Sequence, residues 1–149
     1  KDASKIIDEF DLNESLSFLM GRLFRNCHEI VLVGVKGKPY KNLKNKSQRT
    51  VAIHPTTKHS EKPKDLQNRL EIMFPDAKNM LEIFSRGSKN GWVNIGNENL
   101  LTEKEDITVS LNKIKNMDDK TFNELSKFTD DMLIQDQKKL IKIWQSIST

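Results

Sequence analysis

The chain has 149 residues, 36% of them apolar and 31% charged, with a formal net charge of +4. That balance fits one globular domain, or half of a larger one, and excludes a disordered chain. Its longest apolar runs are about six residues, far short of the ~20 that cross a bilayer, and "KDASKIIDEF" lacks the apolar stretch of a signal peptide, so no membrane role is expected.

In chain order, "NESLSFLMGRLFRNC" comes first. Its apolar residues at Leu16, Leu19, Leu23 and Cys27 make one helical face, with Asn13 or Ser15 able to cap it. Cys27 is the only cysteine, so no disulfide can form within the chain; a reducing compartment and a small buried thiol at a helix end are expected. "EIVLVGV", residues 29–35, is a nearly continuous β-branched run that predicts a central strand buried on both faces. "KGKPYKNLKNKSQR" is a basic loop, "TVAIHP" a second strand stopped by Pro55, and "TTKHSEK" a polar loop. Between Lys36 and Lys64 there are nine Lys or Arg and one acid, Glu61, so this segment carries +8 and the rest of the chain −4. Two readings of it stand side by side: a surface that faces phosphates, or a solvated Lys-rich insertion. On the first reading Lys36, Lys38, Lys41, Lys44, Lys46, Arg49, Lys58 and His59 are the candidate nucleic-acid contacts.

Pro63 then opens a helix, "PKDLQNRLEIMF", with Leu66, Leu70 and Met73 as its buried stripe and Pro75 as its stop. "NMLEIF" and "WVNI" predict two more strands around the polar loop "SRGSKNG". Such alternation argues for an α/β sheet with helices packed on it. After Asn99 the pattern is helical only. Thr102 with Glu105, and Thr121 with Glu124, have capping-box spacing. Ile107, Leu111 and Ile114 share a face, and Thr129 with two acids suits the start of a last helix whose stripe runs Leu133, Leu140, Ile141, Trp144 and Ile147. Trp144 could pack on this chain or on a partner. The expected organisation is an α/β domain over residues 1–99 and a helical extension over 100–149.

"LVGVKGKP", "HSEKPKDLQNRLEIMF" and "LEIFSRGSKNGWVNIGNE", in that order, resemble the C-terminal half of the N6-adenine methyltransferases of the seventy-kilodalton-subunit type, over residues ~15–98. The resemblance implies a partial Rossmann-like sheet that meets S-adenosylmethionine at the C-terminal ends of parallel strands. It puts Lys62 on a cofactor-contacting lysine, Phe84 and Arg86 on a Phe-Gly-Arg strand end, and Asn97 on an asparagine that meets the nucleoside. The alternative is that Lys62, Arg86 and Asn97 are polar residues closing turns and opening a helix. The chain also departs from the pattern. Ser85 replaces the glycine between Phe and Arg, Gly87, Ser88 and Lys89 replace Pro-His-Asn, and Glu98 replaces a glutamine.

The family's catalytic signature, Asp-Pro-Pro-Trp or a close relative, holds an extruded adenine. None of the four prolines here follows Asp or another Pro. No zincin spacing links His28, His54 and His59, and there is no nucleophile elbow or P-loop, so metal and nucleophilic chemistries find no motif. The resemblance therefore implies an inactive subunit, closest to the accessory subunit of a ciliate DNA adenine methyltransferase complex. Such a chain would be nuclear and would pair as a heterodimer with a catalytic paralogue that holds S-adenosylmethionine. Further DNA-binding subunits would complete the complex, with DNA ahead of RNA as substrate. Two alternatives stay open. One is the C-terminal half of an active RNA or DNA methyltransferase whose motif lies upstream, which the start at "KDASK" without Met allows. The other is a free-standing nucleic-acid-binding module.

Overall fold

A computed structural model describes residues 28–54 and 62–149. The proposed first helix, Cys27, Lys58 and His59 lie outside the described residues. Contacts divide the chain into two units, one holding residues 1–39 with 55–57, the other residues 40–54 with 58–149.

Of the first unit, residues 28–38 are coil or bend, and Pro39 opens a short 3-10 turn, Pro39–Asn42. The run expected as a central strand is not one: Ile30, Val31, Leu32, Val33 and Val35 are all exposed, Leu32 by 90%. β-branched composition favours extended backbone, but a strand exists only when its N–H and C=O groups find a ladder, and none of the described residues pairs with this run.

The second unit holds the regular elements: α1 (Asp65–Met73), β1 (Met80–Ile83), β2 (Trp92–Ile95), α2 (Ile107–Asn116), α3 (Asp119–Leu125) and α4 (Ile134–Ser146). It is a mixed α/β unit in which β1 and β2 pair in parallel, Met80 opposite Trp92 through Ile83 opposite Ile95. A parallel return normally takes a helix-containing crossover. Here the strands are so short that the chain need travel back only about 13 Å, well within reach of residues 84–91 in extended form. All four residues of β2 are buried, while β1 is half-buried.

Of the second expected strand, residues 50–54 are described, and they are bend or coil, with Val51 and Ile53 exposed. Its backbone is bonded elsewhere. Arg69 Nη1 of α1 donates to the carbonyls of Arg49 (2.9 Å) and Val51 (3.0 Å), and the amides of Lys44 and Asn45 both donate to Met73 O at the end of α1. Segment 44–51 is thus a strap laid along α1, and it satisfies a helix-terminal carbonyl that would otherwise lack a partner.

The core gathers Val93 and Ile95 of β2 with Leu101, Phe122, Leu125, Phe128, Leu140 and Trp144. The change of character after residue 99 therefore does not coincide with a break in packing. Trp144 is 1% exposed and packs inward; its Nε1 donates to Glu105 at 3.0 Å, and the Lys113 ammonium lies 5.2 Å from its ring centroid. Leu133 and Leu111, expected in buried stripes, are exposed; Ser110 and Lys113 take the inner face of α2 instead.

Neither capping box forms. Asp106 and Asp118 cap α2 and α3 through the amides of Thr108 and Thr121, and these bonds hold both carboxyls below their ordinary values. Thr102 and Glu105 are used in tertiary contacts, and α4 starts at Ile134 rather than at Thr129.

Candidate functional site

The two parallel strands end together at Phe84 and Gly96. Ser85 N donates to Ile95 O at 2.9 Å, extending the ladder by one rung. Gly96 sits against that rung so closely that a Cβ would lie 2.2 Å from Ser85 O and 2.8 Å from Ser85 N. Only glycine fits, which gives the Gly-Asn pair of "NIGN" a packing reason of its own.

Phe84 has φ +64° and a side chain 74% exposed. A left-handed aromatic residue costs about 1–2 kcal/mol, so the chain stores strain at this strand end. Arg86 follows, and its Nη2 pairs with Glu98 Oε1 at 2.9 Å across the strand ends. Asn97 is exposed, and its carbonyl accepts from Lys104 N. Phe84, Arg86 and Asn97 thus share the C-terminal edge of the pair. Lys62 lies elsewhere along the chain, exposed on the segment that leads into α1.

The loop between the strands is bonded inward. Ser85 Oγ donates to Gly87 O (2.5 Å), and Ser88 N donates to Asp130 Oδ2 (2.9 Å). Asn99 Nδ2 reaches both Gly87 O and Ser88 Oγ, and Gly91 N donates to Ser126 O. Lys89 N donates to Asn94 Oδ1, while its ammonium is held 2.7 Å from both Asn68 Oδ1 and Glu71 Oε1. Trp92 Nε1 donates to the same Glu71 oxygen. Burial raises the Glu71 carboxyl, but the bonds from Lys89 and Trp92 and the Lys89 charge outweigh it and hold the group below its ordinary value. Beneath the loop, Glu82 Oε2 accepts from Gln67 and from the buried Asn94, and Thr102 Oγ1 bonds both the amide and the carbonyl of Gly96.

Sequence reasoning missed this supporting shell. Asn94 carried one signal, a polar side chain inside an apolar four-residue strand, where burial demands hydrogen bonds. Asp130 carried none, because its target lies 42 residues away.

Of the basic candidates, Lys36, Lys38, Lys41, Lys44, Lys46 and Arg49 are all exposed. Lys44 lies 3.8 Å from Asp76, a loose surface pair. Arg49 lines a shallow cleft of about 320 Å³ between strap and α1, with Ser47, Gln48, Asp65, Asn68, Arg69 and Ile72. Asp65 there pairs with Arg69 at 2.5 Å and lies 3.3 Å from His54. Among the described residues no group of three or more His, Cys, Asp or Glu could hold a metal ion, and no helix is long and apolar enough to cross a membrane.

The MT-A70 family model matches residues 11–98, more than half of the chain. No curated protein and no solved structure matches the chain.

Proposed function

Because the chain belongs to the MT-A70 family, that of the N6-adenine methyltransferases, we propose that it is a non-catalytic subunit of a heteromeric DNA adenine methyltransferase. In this reading it supports a catalytic paralogue that carries the Asp-Pro-Pro-Trp loop and S-adenosylmethionine, and it lends the pair a basic surface for nucleic acid in the nucleus. The sheet is the C-terminal part of a Rossmann-like methyltransferase fold.

One observation carries the proposal. At the strand ends and in the loop between them, several polar groups are already engaged within the chain. Glu98 lies on Arg86, Asn68 and Glu71 hold Lys89, and Asp130 takes the Ser88 amide. These bonds favour the reading without S-adenosylmethionine, since a ligand drawing on Arg86 or Lys89 would compete with Glu98 or with Glu71 and Asn68. The absence of an adenine-gripping motif from these 149 residues points the same way. The exposed cations of the strap support the nucleic-acid half of the reading.

Isothermal titration of the purified chain with S-adenosylmethionine tests it, with no binding heat expected. Micromolar binding would move the reading to its alternative, the C-terminal half of an active adenine methyltransferase. A second arm replaces Lys41, Lys44, Lys46 and Arg49 with Glu. Duplex DNA affinity should fall and lose much of its salt dependence while the fold stays intact; unchanged affinity would make the strap ordinary solvated surface.

A further inference from the structure

The strap contains a hydroxyl that the proposed function leaves without a task. Ser47 is exposed on backbone that is neither helix nor strand. Its Oγ donates to Asn45 Oδ1 at 2.8 Å and its amide to the same oxygen at 2.9 Å, a local turn that presents the side chain. Cations flank it on both sides: Lys44 and Lys46 before it, Arg49 after it. The stretch Tyr40–His54 holds four Lys or Arg and no acid. Ser47 also lines the cleft with Arg49 and Arg69, the latter's guanidinium already paired to Asp65.

We propose that Ser47 is the phosphoacceptor of a basophilic serine/threonine kinase, and that its phosphate switches off nucleic-acid binding by the strap. A basophilic kinase reads an accessible, irregular segment with cations just ahead of the hydroxyl, and this segment offers both. In the transfer, Ser47 Oγ bonds to the γ-phosphorus of ATP as the bond from that phosphorus to the β,γ-bridging oxygen breaks. ADP leaves, and the hydroxyl proton passes to the kinase's catalytic carboxylate. The product carries about −1.5 to −2 at neutral pH, enough to cancel half or more of the charge that Lys44, Lys46 and Arg49 give the strap. Arg49 and Arg69 give the new phosphate cationic neighbours in the cleft, which draws at least Arg49 away from DNA. The effect on DNA rests on the nucleic-acid reading above; the acceptor assignment does not.

The full chain is incubated with a basophilic kinase and ATP, mapped by tandem mass spectrometry, and titrated against a labelled DNA duplex, alongside Ser47→Ala and Ser47→Asp. The expected result is phosphate on Ser47 and none in that peptide of Ser47→Ala. Affinity should drop about tenfold at ~0.15 M salt, the slope of log K against log salt should shrink by about 1.8, and Ser47→Asp should show part of both changes. No phosphate on Ser47, or phosphate there with unaltered DNA affinity, overturns the proposal. Failure of the unmodified chain to bind the duplex would instead sink the function proposed above, and the Ser47 peptide mass would then decide the acceptor by itself.

Discussion

Glu105 is the residue whose replacement should reveal most about how α2 and α4 are fixed to each other. Its carboxylate accepts from Lys113 Nζ (2.5 Å), Ser110 Oγ (2.6 Å) and Trp144 Nε1 (3.0 Å), and the Lys113 side chain is only 8% exposed. In Glu105→Gln the shape is kept, but a nearly buried ammonium loses its counter-charge. Removing one partner of a buried pair costs about 3–5 kcal/mol; Glu105 keeps some solvent contact, so about 2–3 kcal/mol is expected here. With a urea slope of roughly 2 kcal/mol/M, the midpoint should fall by about 1–1.5 M. Intrinsic fluorescence is the natural readout, since both tryptophans, Trp92 and Trp144, are buried in this unit. The double replacement Glu105→Leu with Lys113→Met removes both charges and should recover most of the loss. A single variant within about 0.5 kcal/mol of wild type, or a double variant worse than the single, would refute the account of this network.

Further expectations concern the site and its supports. Gly96→Ala places a methyl group on the Ser85 backbone and should cost about 2 kcal/mol or more, roughly 4–8 °C in Tm by calorimetry; an unchanged Tm would show that the strand ends part freely. Glu71 and Glu105 both have carboxyl pKa values lowered on folding, so their stabilisation is complete above the unfolded value near 4.5 and is lost as pH falls through the folded values. Urea midpoints should therefore be flat above about pH 5 and decline below it, with a shallower decline in Glu105→Gln. Arg69→Met removes two of the four bonds between strap and α1, together with the Asp65 pair, and should speed native-state trypsin cleavage after Lys44, Lys46 and Arg49 severalfold. Glu98→Gln breaks a half-exposed pair, so stability should shift by less than about 1 kcal/mol, and S-adenosylmethionine should still give no heat because Lys89 and Ser88 stay engaged.

What could be read in the sequence followed from how local each signal was. "MLEI" and "WVNI" are short apolar runs beside turn residues, and both form strands, in parallel. The helix ahead of them was legible from Pro63 and Pro75 and begins and ends close to those marks, but its expected buried stripe of Leu66, Leu70 and Met73 is only half-buried, and Gln67 is the helix's buried residue. "IVLVGV" misled because its composition reports a preference for extended backbone, whereas strand formation depends on partners. Thr102 and Glu105 have capping-box spacing, but each finds a better-placed tertiary partner, Gly96 for the threonine and Lys113 with Trp144 for the glutamate. Leu111 and Leu133 kept the helical period yet face outward, since period fixes a face and not what covers it.

The site shows the same division. Phe84, Arg86 and Asn97 were picked out by resemblance alone, and they lie at the C-terminal ends of the paired strands. What those residues can still do depends on their neighbours. Glu98 looked in sequence like a lost amide; in the fold it is also a gained ion pair that engages Arg86. Asp130 looked like a helix-start acid; in the fold it holds the amide of Ser88. A loop whose donors and acceptors are satisfied from within gains rigidity and loses ligand affinity by the same bonds, because each would have to be surrendered to an incoming molecule.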